Sequence, residues 1–325
     1  MSALPNSTPE NTAITASSFS FDALLPKEMA TKAENIGVTK SKLGMYQTFA
    51  LAVLAGAFVA MGAIFATTVS AGNITAKTAE GSVAFAFGLP YGIMRLLTGL
   101  VFSLGLILVV VAGAELFTGN NLIVMAWASR RVRTRHLLRN WVIVYVGNFV
   151  GSVLTAFVMF LSKQYVMGDG AIGVTVLKTG VAKTSLDFIP AVALGIFCNA
   201  LVCLAVWLCF SARSTTDKIL SIIPPVSAFV AAGFEHSVAN MYFIPIALFI
   251  KYLDPAFYAA RVAAEPAVLW DNLTWGSFFL KNLLPVTLGN IIGGAVLVGI
   301  VYWFVYLRPS RARQAAGVPQ PVLQK

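Results

Sequence analysis

Five stretches of this chain are apolar for long enough to cross, as helices, the roughly 30 Å hydrocarbon layer of a bilayer. They run Thr48 to Val69, Leu96 to Ala114, Trp141 to Leu161, Phe188 to Phe210 and Leu283 to Leu307. A sixth begins near Ile219, is interrupted by "GFEHSVANM" (Gly233 to Met241) and resumes as far as Ile250. A backbone surrounded by lipid must satisfy its own N–H and C=O groups, which leaves helices and closed barrels, and the alternating pattern of barrel strands is absent. The fold class expected is an all-α membrane protein with six transmembrane helices. Composition agrees: 58% of the residues are hydrophobic, 11% are charged and the mean hydropathy is +0.80, a balance foreign to soluble domains.

Basic residues set the orientation. With both termini cytoplasmic, 15 of the 23 Lys and Arg residues fall on the cytoplasmic side and 8 on the other. The run "SRRVRTRHLLRN" (Ser129 to Asn140) carries much of this bias, and a basic loop beside a span reads as an anchor against lipid phosphates. The net charge of +10 therefore reports membrane orientation and implies no nucleic-acid partner. Residues 1–20 are mainly polar and lack the basic start and apolar core of a signal peptide, so they read as a disordered cytoplasmic tail. Residues 309–325 read as a cytoplasmic C-terminal tail. Over 21–37, Leu24, Leu25, Met29, Ala33 and Ile36 share roughly one helical face, which predicts a short amphipathic helix on the inner membrane surface. Cys198, Cys203 and Cys209 lie in one apolar span at no ligand spacing and read as packing residues. No metal or cofactor is expected.

The chain repeats itself. "GAELFTGN" (Gly113 to Asn120) and "GFEHSVAN" (Gly233 to Asn240) share Gly, Glu and Asn at the same spacing, and both interrupt apolar segments. In the spans that follow, "NWVIVYVGNFVG" (Asn140 to Gly151) matches "NLLPVTLGNIIG" (Asn282 to Gly293) at Asn, Gly-Asn and Gly. A weaker match aligns "AVLAGAF" (Ala52 to Phe58) with "AVALGIF" (Ala191 to Phe197). Three spans per half is an odd number, so the second copy enters from the opposite side. This predicts an inverted 3+3 repeat with two broken helices, an arrangement that places a site near the membrane midplane. The Gly-Asn pairs read as close-packing devices, with Asn148 and Asn290 hydrogen-bonding across the contact.

"VAGAELFTGN", "GIFCNALVCLAVW", "GFEHSVANM" and "LPVTLGNIIGG" together resemble the formate/nitrite transporter family, over about Phe21 to Arg308. Within it, "FSLGLIL" (Phe102 to Leu108), "FEHSVANMYFIP" (Phe234 to Pro245) and the amphipathic helix look most like the formate channels. The resemblance implies one transmembrane channel domain over 21–308, an aquaporin-like protomer with its own pore, a homopentamer and an inner (plasma) membrane location. It also implies roles. His236 matches the central pore histidine, Thr118 the threonine facing it, Asn199 and Asn240 pore-side amides, Glu235 the acid beside the histidine and Lys183 a vestibule lysine. Phe102, Leu106, Leu116 and Phe229 match the apolar constrictions. Glu115 stands where some formate channels carry Asp.

An ionisable group inside a membrane is costly and marks a pathway or proton relay. A small carboxylate meets a large desolvation cost at a dry constriction, and a proton or strong hydrogen-bond donor at the narrow point lowers it. His236 is the candidate donor, with Thr118 orienting the anion and Lys183 attracting it; formate or a similar small anion, protons and membrane lipid are the partners implied. Glu115 and Glu235 are read as loop-structuring, each taking hydrogen bonds from the N–H groups its own loop sets free. An enzyme is disfavoured, because Glu235, His236 and Ser237 are successive residues and catalytic groups are recognised by spatial convergence. Nitrite, hydrosulfide and a neutral-solute channel of water or glycerol type remain as alternatives.

Overall fold

The computed structural model describes residues 23–72, 74–77, 83–264 and 268–308; the tails expected over 1–20 and 309–325 lie outside the described residues. Helix α1 (Pro26–Lys42) replaces the helix expected over 21–37, starting where Pro26 sets the first-turn geometry and Glu28 accepts from the Leu25 N–H at 2.9 Å. Then come α2 (Met45–Ser70), a two-stranded antiparallel hairpin β1 (Ile74–Lys77) and β2 (Val83–Phe87), and α3 (Tyr91–Ala112). Next are α4 (Phe117–Asn120) and α5 (Val124–Ala128), joined by a single 3-10 turn, and α6 (Thr134–Leu161). The second part runs α7 (Ala171–Thr184), α8 (Phe188–Ser211), α9 (Thr215–Ala231), α10 (Ser237–Leu253) and α11 (Pro255–Ala264). A last helix with π-helical turns spans Trp275–Leu307.

Five of these helices are long and apolar enough to cross a membrane: α2, α3, α6, α8 and Trp275–Leu307. They correspond to the five uninterrupted windows. Several begin earlier than hydropathy suggested, α6 at Thr134 instead of Trp141, because basic and polar residues extend the helix beyond its apolar part. The sixth window resolves into α9 and α10, each of 17 residues, separated at Ala232 to His236. A capping box starts α9: Ser214 Oγ accepts from Asp217 N–H at 3.1 Å, and the Asp217 carboxylate accepts from Ser214 N–H at 2.9 Å. Helix α10 bends by 102° into α11. The hairpin was not anticipated, since four- and five-residue strands are too short to stand out beside long apolar windows.

Helix α10 forms the centre. From Ser237 to Leu248 it is buried on nearly every side, with Met241, Ile244, Ala247 and Leu248 inaccessible. The long helices around it keep large apolar side chains on their outer faces, such as Val142, Leu154 and Ile189, as a bilayer requires. Their backbones meet through glycine. A Cβ at Gly151 would collide with the Val53 carbonyl of α2, and one at Gly293 with the Ile196 carbonyl of α8, so these helix pairs close on small residues as expected.

Candidate functional site

Helix α3 stops because Gly113 turns left-handed (φ 82°), and α9 stops because Gly233 does the same (φ 76°). Only glycine adopts this conformation without steric cost. The chain then runs extended through Leu116 and through His236 before α4 and α10 begin. Each break exposes amides that need partners inside a membrane. Glu115 N–H donates to Leu51 O at 3.2 Å, and Glu235 N–H to Leu194 O at 3.3 Å. Phe117 N–H donates to Asn148 Oδ1 at 2.9 Å, and Ser237 N–H to Asn290 Oδ1 at 3.0 Å. Asn148 Nδ2 donates in turn to Ala52 O and Glu115 O, and Asn290 Nδ2 to Gly195 O and Glu235 O. Asn148 and Asn290 are thus clamps that hold each interruption open, beyond the packing role read from sequence. These bonds also correct the weakest repeat alignment: the partner of Ala52 is Gly195, one helical turn beyond Ala191.

The carboxylates are held by side chains, not by loop amides as expected, because Asn148, Asn290 and the neighbouring helices have already taken those amides. Glu235 pairs with Lys183 at 2.8 Å and accepts from Asn240 Nδ2 at 2.6 Å; Asn240 Nδ2 also reaches Asn282 Oδ1, whose amide donates to Lys183 O. At the other break Glu115 pairs with Lys40 at 2.8 Å and accepts from Asn120 Nδ2 at 2.6 Å; Asn120 Nδ2 reaches Asn140 Oδ1, whose amide points to Lys40 O. The two networks share these four bonds and differ in two others: Lys40 Nζ also donates to Asn120 Oδ1 at 2.9 Å, whereas Asn240 Oδ1 has no partner among the described residues, and Asn282 Nδ2 also reaches Glu235 at 3.3 Å. Lys40 escaped the sequence reading, although "GVTK" (Gly37 to Lys40) and "GVAK" (Gly180 to Lys183) repeat the same spacing. Both glycines sit tight against alanine, Gly37 on Ala126 and Gly180 on Ala247.

Between the breaks, His236 Nε2 lies 3.1 Å from Thr118 Oγ1, with both side chains buried. Ala239 N–H donates to His236 Nδ1 at 3.0 Å, so the neutral ring carries its proton on Nε2 and aims it at Thr118. Two cavities approach this pair. One, of about 360 Å³, is lined by Arg95, Phe102, Lys183, Phe229, Glu235 and His236. The other, of about 300 Å³, is lined by Lys40, Leu106, Glu115, Leu116 and Asn120. The amino-terminal half of α3 lines the first and its carboxyl-terminal half the second, so they open toward opposite ends of the bundle, with Phe102 and Leu106 one turn apart between them. Phe229 stacks on the His236 ring at 6.0 Å and meets Phe102 edge-on at 5.9 Å.

The residues singled out from sequence converge with one exception. His236, Thr118, Asn240, Lys183, Glu235, Glu115, Phe102, Leu106, Leu116 and Phe229 gather around the two breaks. Asn199 and Thr118 both lie outside the two cavity linings, but Thr118 meets His236, whereas the Asn199 amide ties the helices together by donating to Asn290 O at 2.6 Å and Asn121 Oδ1 at 3.1 Å.

Two cavities opening toward opposite ends, one of them reaching a buried imidazole that contacts Thr118, inside a bundle with several helices long and apolar enough to cross a bilayer, define a multi-pass membrane transport protein. A family model described as formate/nitrite transporter matches residues 27–304, and the chain belongs to that family. The formate channel FocA of Escherichia coli K12 is 46% identical over 291 residues, covering 89% of this chain and 97% of the relative. FocA of Haemophilus influenzae is 39% identical over 278 residues, covering 86% and 93%. A solved structure described as a pentameric formate channel with formate bound aligns with a TM-score of 0.71 at 43% identity, over 81% of this chain and 98% of that one.

Proposed function

We propose that this chain is a channel for formate and similar small monovalent weak-acid anions, built as an inverted 3+3 repeat over residues 21–308. It assembles as a homopentamer in the inner membrane with both termini cytoplasmic. The single observation that carries this reading is the His236–Thr118 contact between two cavities at paired helix breaks. The four bonds shared by the Lys183–Glu235 and Lys40–Glu115 networks support the repeat. Relatives that are named formate channels, and a structural neighbour described as pentameric, support substrate and assembly. The excess of basic residues on one side supports the orientation.

Formate, with a carboxyl pKa of roughly 4, travels at cellular pH mainly as the anion and must shed water at the apolar rings. Phe102 and Phe229 form the ring on the His236 side, Leu106 and Leu116 the ring beyond it. Between them the Nε2–H that rests on Thr118 Oγ1 turns to the carboxylate, and the Thr118 hydroxyl donates to it as well. The ring polarises the anion; handing over a proton through an imidazolium would require Nδ1 to give up its bond from Ala239. A proton that neutralises formate therefore comes from the cavity water and crosses with it. Glu115 and Glu235 neutralise their lysines and keep the breaks in shape.

Light-scattering measurements on proteoliposomes test the substrate class. The reading expects saturable formate uptake that quickens as pH falls, and no glycerol-driven swelling. Nitrite and hydrosulfide run at the same two pH values rank the anions. Glycerol swelling without pH dependence would overturn the proposal in favour of a neutral-solute channel.

A further inference from the structure

The lysine in each cavity is already paired. Lys183 lies 2.8 Å from Glu235 and Lys40 lies 2.8 Å from Glu115, so each pair contributes no net charge to its cavity. The His236-side cavity holds one more cation, Arg95, half-buried on the first turns of α3. Its Nε donates to Ala231 O at 3.2 Å and its Nη2 to Val230 O, and among the described residues no carboxylate bonds to it. The lining of the opposite cavity includes no second cation. Val230 and Ala231 are the last carbonyls of α9, where the helix dipole gathers negative partial charge at the wall of the cavity. Left bare, that helix end would repel an approaching anion. Arg95 covers it from a neighbouring helix and keeps its full positive charge.

We propose that Arg95 recruits the anion to the His236-side cavity, as the one uncompensated cation there, while its fork caps the carboxyl end of α9. The two mouths of the pore are then electrostatically unequal despite their matched lysine–glutamate pairs: one attracts anions and the other is neutral. This inference rests on the anion-channel reading above, and Arg95 acts in capture, before the constriction.

The test is formate uptake into liposomes that hold the full-length protein in both orientations, so that the outcome is independent of which mouth faces outward. Arg95→Gln is expected to raise the half-saturating formate concentration on the order of threefold at low salt, with a smaller fall in maximal rate. The difference shrinks at about 0.5 M salt, where charges across a wet cavity are screened. Arg95→Lys, which keeps the charge and loses the fork, restores most of the capture. A purely structural cap gives the opposite pattern: a lower maximal rate, no salt dependence and no rescue by lysine. Thr179→Lys adds a cation to the same cavity without touching α9 and is expected to lower the half-saturating concentration; it carries the test if Arg95→Gln fails to fold. Wild-type flux with half-saturation unmoved by the variant under test overturns the role of Arg95 and leaves the channel reading standing. Absence of formate flux in the wild type overturns both.

Discussion

At the scale of single residues, the site depends on two asparagines as much as on its histidine. Asn290 fills all its main hydrogen-bonding capacity at one break, taking Ser237 N–H and giving to Gly195 O and Glu235 O. Replacing it by leucine of similar bulk strands three buried backbone groups, each costing about 1 kcal/mol or more. Asn290→Leu is therefore expected to destabilise the protein by roughly 2–4 kcal/mol, read as a lowered melting midpoint in detergent. If asparagine served only to pack the helices, leucine would leave the midpoint in place. Much of this residue-level picture was legible in the sequence. An ionisable pair inside an apolar segment, matched to a second copy, has few explanations other than a lined pathway, which marked Glu235 and His236 in advance, while Thr118 and Lys183 were added by the resemblance to the transporter family. Lys40 was not, because its helix is amphipathic and reads as surface; only the four-residue echo of Lys183's surroundings marked it. Arg95 was invisible for a related reason: its partners are carbonyls, which no sequence pattern displays.

At the scale of helices, glycine sets both where α3 and α9 end and how closely α8 approaches the last span. Gly293 lies against the Ile196 carbonyl with no room for a side chain. Gly293→Val is expected to push the two helices apart at a cost of about 1–3 kcal/mol or more, and to disturb the nearby bond from Asn199 to Asn290. Thermal unfolding checks this, with Gly92→Ala as control, since a Cβ at Gly92 meets nothing within 4 Å. Equal midpoints for both variants would show that the contact is loose. Hydropathy located the long helices because each is apolar through its middle, and it misjudged their ends because helix formation continues through Thr134 to Asn140 after apolarity stops. Helix α7, at 14 residues, is too short to announce itself as a span, yet it carries Lys183 to the cavity.

At the scale of the whole molecule, the two breaks are alike in their networks and unlike at one position. The paired Lys–Glu–Asn–Asn networks, with Asn148 and Asn290 clamping the loops, give two equivalent breaks. At the equivalent places beside the glutamates one break carries Leu116 and the other His236, so a single imidazole faces a single hydroxyl. Arg95 adds a second inequality at one mouth. In the proposed mechanism the shared bonds hold the cavities in shape, and the departures from matching supply a donor for the anion and a side from which it is drawn. The central claim, that His236 carries the anion between the cavities, is tested most directly by initial rates of formate uptake into proteoliposomes for wild type and His236→Phe at pH 6 and pH 7.5, with melting midpoints in parallel. The account expects His236→Phe to keep its fold and to lose formate flux on the order of 100-fold, the worth of a hydrogen bond to a charged group in a dry site. Undiminished flux with its pH dependence intact would contradict it.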